Sequence, residues 1–235
     1  MMIMPSDKDY KLTKKIKKGE RQMNPEFAGL ADWIKNKYEV EILNIIYDFI
    51  DNREKRPRLT VIFEFHKDEL KFRDSHVGNF HSDKQRIIGQ KFDELVNNKT
   101  TGGSILRRLF DSQETKYTTT DIWVVFTSFE PIAKDEANSN VPESEVKKLK
   151  RELDNEDIWE ISRAFSGTTF FLYSDKQVKD YENSDTRKLW TEKYFDILDK
   201  YNEFGYFKRD TYSINLDSKE NFDTNYQSNW FYYYK

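Results

Sequence analysis

A chain of 235 residues with no cysteine, 8 glycines and a net charge of −3 excludes several chemistries at the outset. Without cysteine there are no disulfides, thiol nucleophiles, zinc–thiolate sites or CxxC redox pairs, and no GxGxxG, GxxxxGK[ST] or GxSxG run marks a dinucleotide, P-loop or serine-hydrolase site. Aromatics reach 16% against 34% charged residues, enough large apolar surface to fill a core, while the longest apolar runs are strand-sized and far short of a membrane span.

Residues 1–23 are basic: Lys8, Lys11, Lys14, Lys15, Lys17, Lys18 and Arg21 outweigh Asp7, Asp9 and Glu20. This segment reads as a flexible arm. The rest of the chain is acidic and would repel nucleic acid. The opening has no apolar signal-peptide core, so a cytoplasmic protein without a membrane partner is expected.

Residues 24–100 read as helix, strand, strand, short helix, long helix. "ILNIIYDF" (Ile42 to Phe49) and "VIFEF" (Val61 to Phe65) are the strands, and the joining "IDNREKRPRL" suits a hairpin and is too short for a helical crossover. Pro57 then falls near a strand start, where its missing N–H does least harm. Ile88, Phe92, Leu95 and Val96 recur at i, i+4, i+7 and i+8, one face of a helix, with Asp83 placed to cap it. "NNKTTGGS" (Asn97 to Ser104) reads as a joint.

Residues 101–204 read as a second copy of the same unit. "DKQRIIGQKFDELV" (Asp83 to Val96) aligns without gaps on "DTRKLWTEKYFDIL" (Asp185 to Leu198), and Trp190, Tyr194, Ile197 and Leu198 repeat the apolar face. "VIFEFHKDELK" lies on "TFFLYSDKQVK", "ILNIIYDF" on "IWVVFTSF" (Ile122 to Phe129), and "FAGLADWIKNKY" on "LRRLFDSQETKY". The second copy then needs a helical insertion near 133–166, seated through Leu149, Leu153, Ile158, Ile161 and Phe165. Residues 205–235 match neither copy. The alternation of Tyr212, Ile214 and Leu216, followed by "NWFYYYK", reads as aromatic strands completing the same body. The expected fold is therefore α+β, a mostly antiparallel sheet covered by helices and built from a tandem duplication.

Three sets of residues are candidates for function. The chain's 3 histidines, His66, His76 and His81, share one window, and histidine is the commonest metal ligand; H-x9-H-x4-H is no ligand signature, so the reading is an exposed loop with no metal or other cofactor. Asp48 and Glu64 near the ends of successive strands, with His66 following, resemble the acidic pair with which restriction-type nucleases hold a divalent metal. His66 stands where that pattern has lysine. A metal-dependent hydrolase or nuclease using Asp48, Glu64 and His66 is thus the alternative reading. The third set is Trp230, Phe231, Tyr232, Tyr233 and Tyr234. A strand can bury only one side of such a run, which leaves rings of the kind enriched at interface hot spots. The leading expectation is a non-enzymatic, cytoplasmic module that binds another protein, its acidic body suiting a basic partner. A bacterial toxin-neutralising (immunity-type) protein is the concrete example.

Overall fold

Ile42 and Ile45 both turn to one core although they are three residues apart, a spacing that neither a regular strand nor its period of two allows. A β-bulge supplies the extra residue: in the computed structural model the ladder between β1 (Ile42–Phe49) and β2 (Pro57–Phe63) slips between Ile42 and Asn44. The structure describes residues 4–50, 55–74, 78–101 and 116–235, with the backbone alone for 97–101. It divides into two compact units, Met1–Glu130 and Pro131–Lys235.

In the first unit β1 pairs antiparallel with β2, and β2 pairs parallel with β3 (Trp123–Ser128). The crossover to β3 carries α3 (His66–Leu70) and α4 (Ser82–Thr101). Leu59, Val61 and Phe63 of β2 and Val124 and Phe126 of β3 join Ile88 and Phe92 of α4 and Leu30 and Ile34 of α2 (Ala28–Tyr38) in one core. The opposite face of β1 meets α1 (Lys8–Lys17), where Asn44 Nδ2 donates to the Thr13 hydroxyl at 3.1 Å. Residues 8–17 are therefore no flexible arm: Tyr10 and Thr13 are fully buried, and Tyr10 stacks on Phe129 at 5.0 Å between centroids. The lysines masked a helix whose inward face is only Asp9, Tyr10 and Thr13.

The second unit has the same strand order and directions. β4 (Ile158–Ala164) pairs antiparallel with β5 (Gly167–Leu172), and β5 pairs parallel with β6 (Asn215–Ser218) after a crossover through α7 (Asp175–Tyr181) and α8 (Asp185–Leu198). A bulge again slips the ladder at its start, between Ile158 and Glu160. Ile158, Ile161, Phe170 and Leu172 face Val146 and Leu149 of α6 (Glu143–Leu153) and Trp190, Tyr194 and Leu198 of α8. Equivalent carboxylates close both crossovers. Glu130 Oε2 accepts the His66 N–H, and Glu220 Oε2 accepts the Asp175 N–H, each at 3.1 Å.

The fold is α+β, with corrections to its parts. Each sheet is mixed, one antiparallel and one parallel pair, because the α3–α4 and α7–α8 crossovers return the third strand in the direction of the second. Ile122–Phe129 contains β3 of the first sheet and is no counterpart of β1. The stretch near 133–166 is no insertion: it holds α5 (Glu130–Asn140), α6 and β4, an edge strand of the second sheet. Its i, i+3 pair, Ile158 and Ile161, imitates a helix because the bulge adds a residue between them. The long helix that begins at Asp185 is capped one residue earlier, by Ser184, and Asp83 lies in the first turn of α4. The joint at 97–104 starts inside α4; its remainder, and most of "LRRLFDSQETKY", lie outside the described residues.

Candidate protein-binding surface

The acidic pair of the hydrolase reading does not come together. Asp48 faces Arg58 across the β1–β2 ladder, both carboxylate oxygens held by its guanidinium at 2.8 and 2.6 Å, and this bond raises the Arg58 pKa further. Glu64 lies beyond the other end of β2, six residues from Arg58 and so roughly 20 Å along the strand, and is ion-paired with Lys17 at 2.5 Å. His66 opens α3 with its Nδ1 3.6 Å from Glu69. His81 precedes α4 and donates its N–H to Phe72, and His76 lies outside the described residues. Among the described residues no group of three His, Asp or Glu side chains is placed to hold a metal ion. What surrounds His66 is a latch the sequence did not reveal: the buried Glu69 carboxylate accepts from the Ser128 hydroxyl at 2.6 Å and from Arg73 at 2.6 and 3.1 Å, tying α3 to the end of β3.

The C-terminal aromatic run is a helical turn. Asn229 caps α10 (Trp230–Tyr233) by accepting the Phe231 N–H at 2.9 Å. Helical spacing groups 230, 233 and 234, where a strand would group 230, 232 and 234. Trp230 stacks on Trp159 at 6.0 Å and meets Phe222 of α9 (Lys219–Tyr226) at 4.2 Å. Tyr233 packs on Phe171 at 5.1 Å and donates to Asp217 at 2.5 Å. The Tyr234 and Ser162 hydroxyls share a 2.6 Å hydrogen bond. Burial holds the Tyr233 and Tyr234 phenols above their usual pKa, and the Asp217 carboxylate adds to the effect on Tyr233. Phe231 and Tyr232 point the other way, 69% and 48% exposed, and Trp230 keeps 37% of its surface in solvent.

Trp230 also walls a groove of about 530 Å³ that runs along the outer edge of β4, from Trp159 to Phe165, with Asn138, Ser139 and Glu143 on the opposite wall. At its far end Phe165 projects from the two-residue β4–β5 turn, 69% exposed and at φ 52°, a left-handed backbone costly for a bulky residue. The buried Asn138 pins this turn with all its side-chain capacity. Its Nδ2 donates to the carbonyls of Phe165 and Gly167 at 3.1 and 2.8 Å, and its Oδ1 accepts from Tyr194 and Thr168 at 2.9 and 3.2 Å. Arg163 joins Glu143 and the carbonyls of Asn138 and Val141, fixing the groove's wall. Sequence reasoning named the terminal rings, seated Phe165 against the body where the structure exposes it on a turn, and missed Glu160 and Asn138. The signal it passed over is the Ser166–Gly167 pair between two apolar runs, a hairpin turn.

No protein family, curated protein or solved structure matches the chain. No helix among the described residues is long and apolar enough to cross a membrane.

Proposed function

We propose that the chain is a protein-binding module without chemistry of its own, and that its binding face lies on the Pro131–Lys235 unit. The observation that carries this reading is the set of solvent-facing rings: Phe165, Trp230, Phe231 and Tyr232 are all exposed, the first two lining a preformed groove and the other two on the same terminal turn as Trp230. Rigid aromatic rings bury large area at little entropic cost, which is why they dominate interface hot spots. Charge gives the partner's character. Residues 131–235 hold 16 Lys and Arg against 21 Asp and Glu, whereas residues 1–130 hold 23 against 21. An acidic ring-bearing unit suits a basic protein electrostatically, as expected of a cytoplasmic module that neutralises a basic toxin.

The test is affinity capture from the native cell followed by mass spectrometry, with wild-type chain beside Phe231→Ala/Tyr232→Ala. These rings stand in solvent, so their removal should leave the melting temperature almost unchanged. A partner held by the wild type should be lost from the variant, a change of about 2 kcal/mol or more in binding. Equal recovery by both chains would place the binding face elsewhere.

A further inference from the structure

We propose that the groove's occupant is an extended segment of a basic partner, added to the sheet as a strand on the free edge of β4; this rests on the protein-binding reading above. β4 is an edge of its sheet. Ala164 and Gly167 close a two-residue hairpin, so the antiparallel alternation makes Ala164 and Ser162 the hydrogen-bonded positions and turns the N–H and C=O of Arg163 and Ile161 outward. The Ile161 N–H accordingly donates at 3.1 Å to the side chain of Glu160 and to no strand. At the next outward position the Trp159 carbonyl accepts from Lys150 Nζ. Two side chains thus plug the edge of the free protein, a common protection for an unpaired strand. Both plugs are flexible and displaceable, and they cover donor and acceptor positions that a docking strand would use.

The same plug sets the partner's charge. Glu160 opposes Phe171 and so shares the sheet face of Trp159, Ser162 and Trp230. No cation pairs with its carboxylate among the described residues. A strand that takes the Ile161 N–H releases this carboxylate beside two tryptophan rings, and a Lys or Arg at the facing position satisfies it. Trp159 already receives one cation in this way, with Lys219 Nζ 5.4 Å from its ring centroid. Glu143 is already paired with Arg163 and Lys147, so it is Glu160 that calls for a cation, and cations at alternate positions of the incoming strand share the one face turned toward it.

The probe is a fluorescein-labelled, end-blocked peptide of seven residues alternating Lys and Val, titrated into the full chain by fluorescence anisotropy and by amide chemical shifts. Two controls accompany it: the same peptide with Pro for Val, which keeps the charge and cannot pair as a strand, and one with Glu for Lys. The Lys–Val peptide should shift the Ile161 and Arg163 amides. Both controls should bind at least tenfold more weakly. Glu160→Gln, which keeps an oxygen for the Ile161 N–H and removes the charge, should weaken the Lys–Val peptide at least fivefold while leaving the fold intact. No peptide binding, binding indifferent to proline, shifts confined to other elements, or a dimer of the chain through β4 in place of peptide would overturn the strand addition. Ring-dependent capture of a partner would stand in each of those cases, since it requires no strand on β4.

Discussion

Removing the Asn138 side chain should cost the Pro131–Lys235 unit about 4 kcal/mol. In Asn138→Ala the Tyr194 and Thr168 hydroxyls, both on fully buried residues, lose the oxygen they share. A buried donor left without a partner costs about 1–3 kcal/mol, which makes roughly 4 for the two at the middle of that range. The Phe165 and Gly167 carbonyls belong to partly accessible backbone and turn to water at little cost. The assay is urea denaturation by tryptophan fluorescence with Trp33 and Trp123 replaced by Phe, so that the signal reports the second unit alone. A double-mutant cycle isolates the mechanism. Tyr194→Phe should cost about 1–2 kcal/mol in the wild type and almost nothing in Asn138→Ala, where its hydroxyl is already unpaired. A loss below about 1 kcal/mol for Asn138→Ala, or strictly additive effects, would refute the reasoning that this side chain satisfies the two buried hydroxyls.

The buried Tyr38 hydroxyl has no hydrogen-bond partner among the described residues, so Tyr38→Phe should leave thermal stability unchanged or raise it by up to about 1 kcal/mol. Burial raises the phenol pKa of Tyr38, Tyr194 and Tyr233 above the usual 10.0. Their protonated forms are thus favoured by the fold: the contribution is complete below pH 10, and stability falls as pH rises from there toward the folded-state values, where the unfolded chain binds fewer protons. Absorbance of tyrosinate should accordingly rise in step with unfolding in an alkaline titration, and independent early ionisation of all 14 tyrosines would contradict it. Lys150→Ala/Glu160→Ala strips both plugs from β4, and light scattering should show faster aggregation than for wild type at equal melting temperature.

Elements with an unbroken period were legible in the sequence. The hairpin strands β1 and β2 were found from apolar runs and loop length, and α4 and α8 from their i, i+4, i+7 faces. β4 was not, because its bulge sets Ile158 and Ile161 three apart and so writes a helical spacing into a strand. Five consecutive aromatics at 230–234 carry no period at all, and the informative residue was Asn229, which caps a helix. For the same reason the exposure of rings in that run was foreseeable and its parity was not. Asp48 and Glu64 looked like a pair because each closes an apolar run, although the antiparallel hairpin expected from the loop length already sets the ends of successive strands apart. Phe165, Glu160 and Asn138 acquire meaning only from tertiary placement: a turn held from another element, and an edge strand whose outward groups are known once its register is known.

Residue-resolved amide hydrogen exchange on the chain bound to its captured partner tests the central claim most directly. Ile161 and Arg163 point their N–H groups away from β5, so they should exchange quickly in the free protein and become strongly protected in the complex, together with the α10 turn at Phe231 and Tyr232. Protection confined to Met1–Glu130, with β4 and α10 unchanged, would contradict the account.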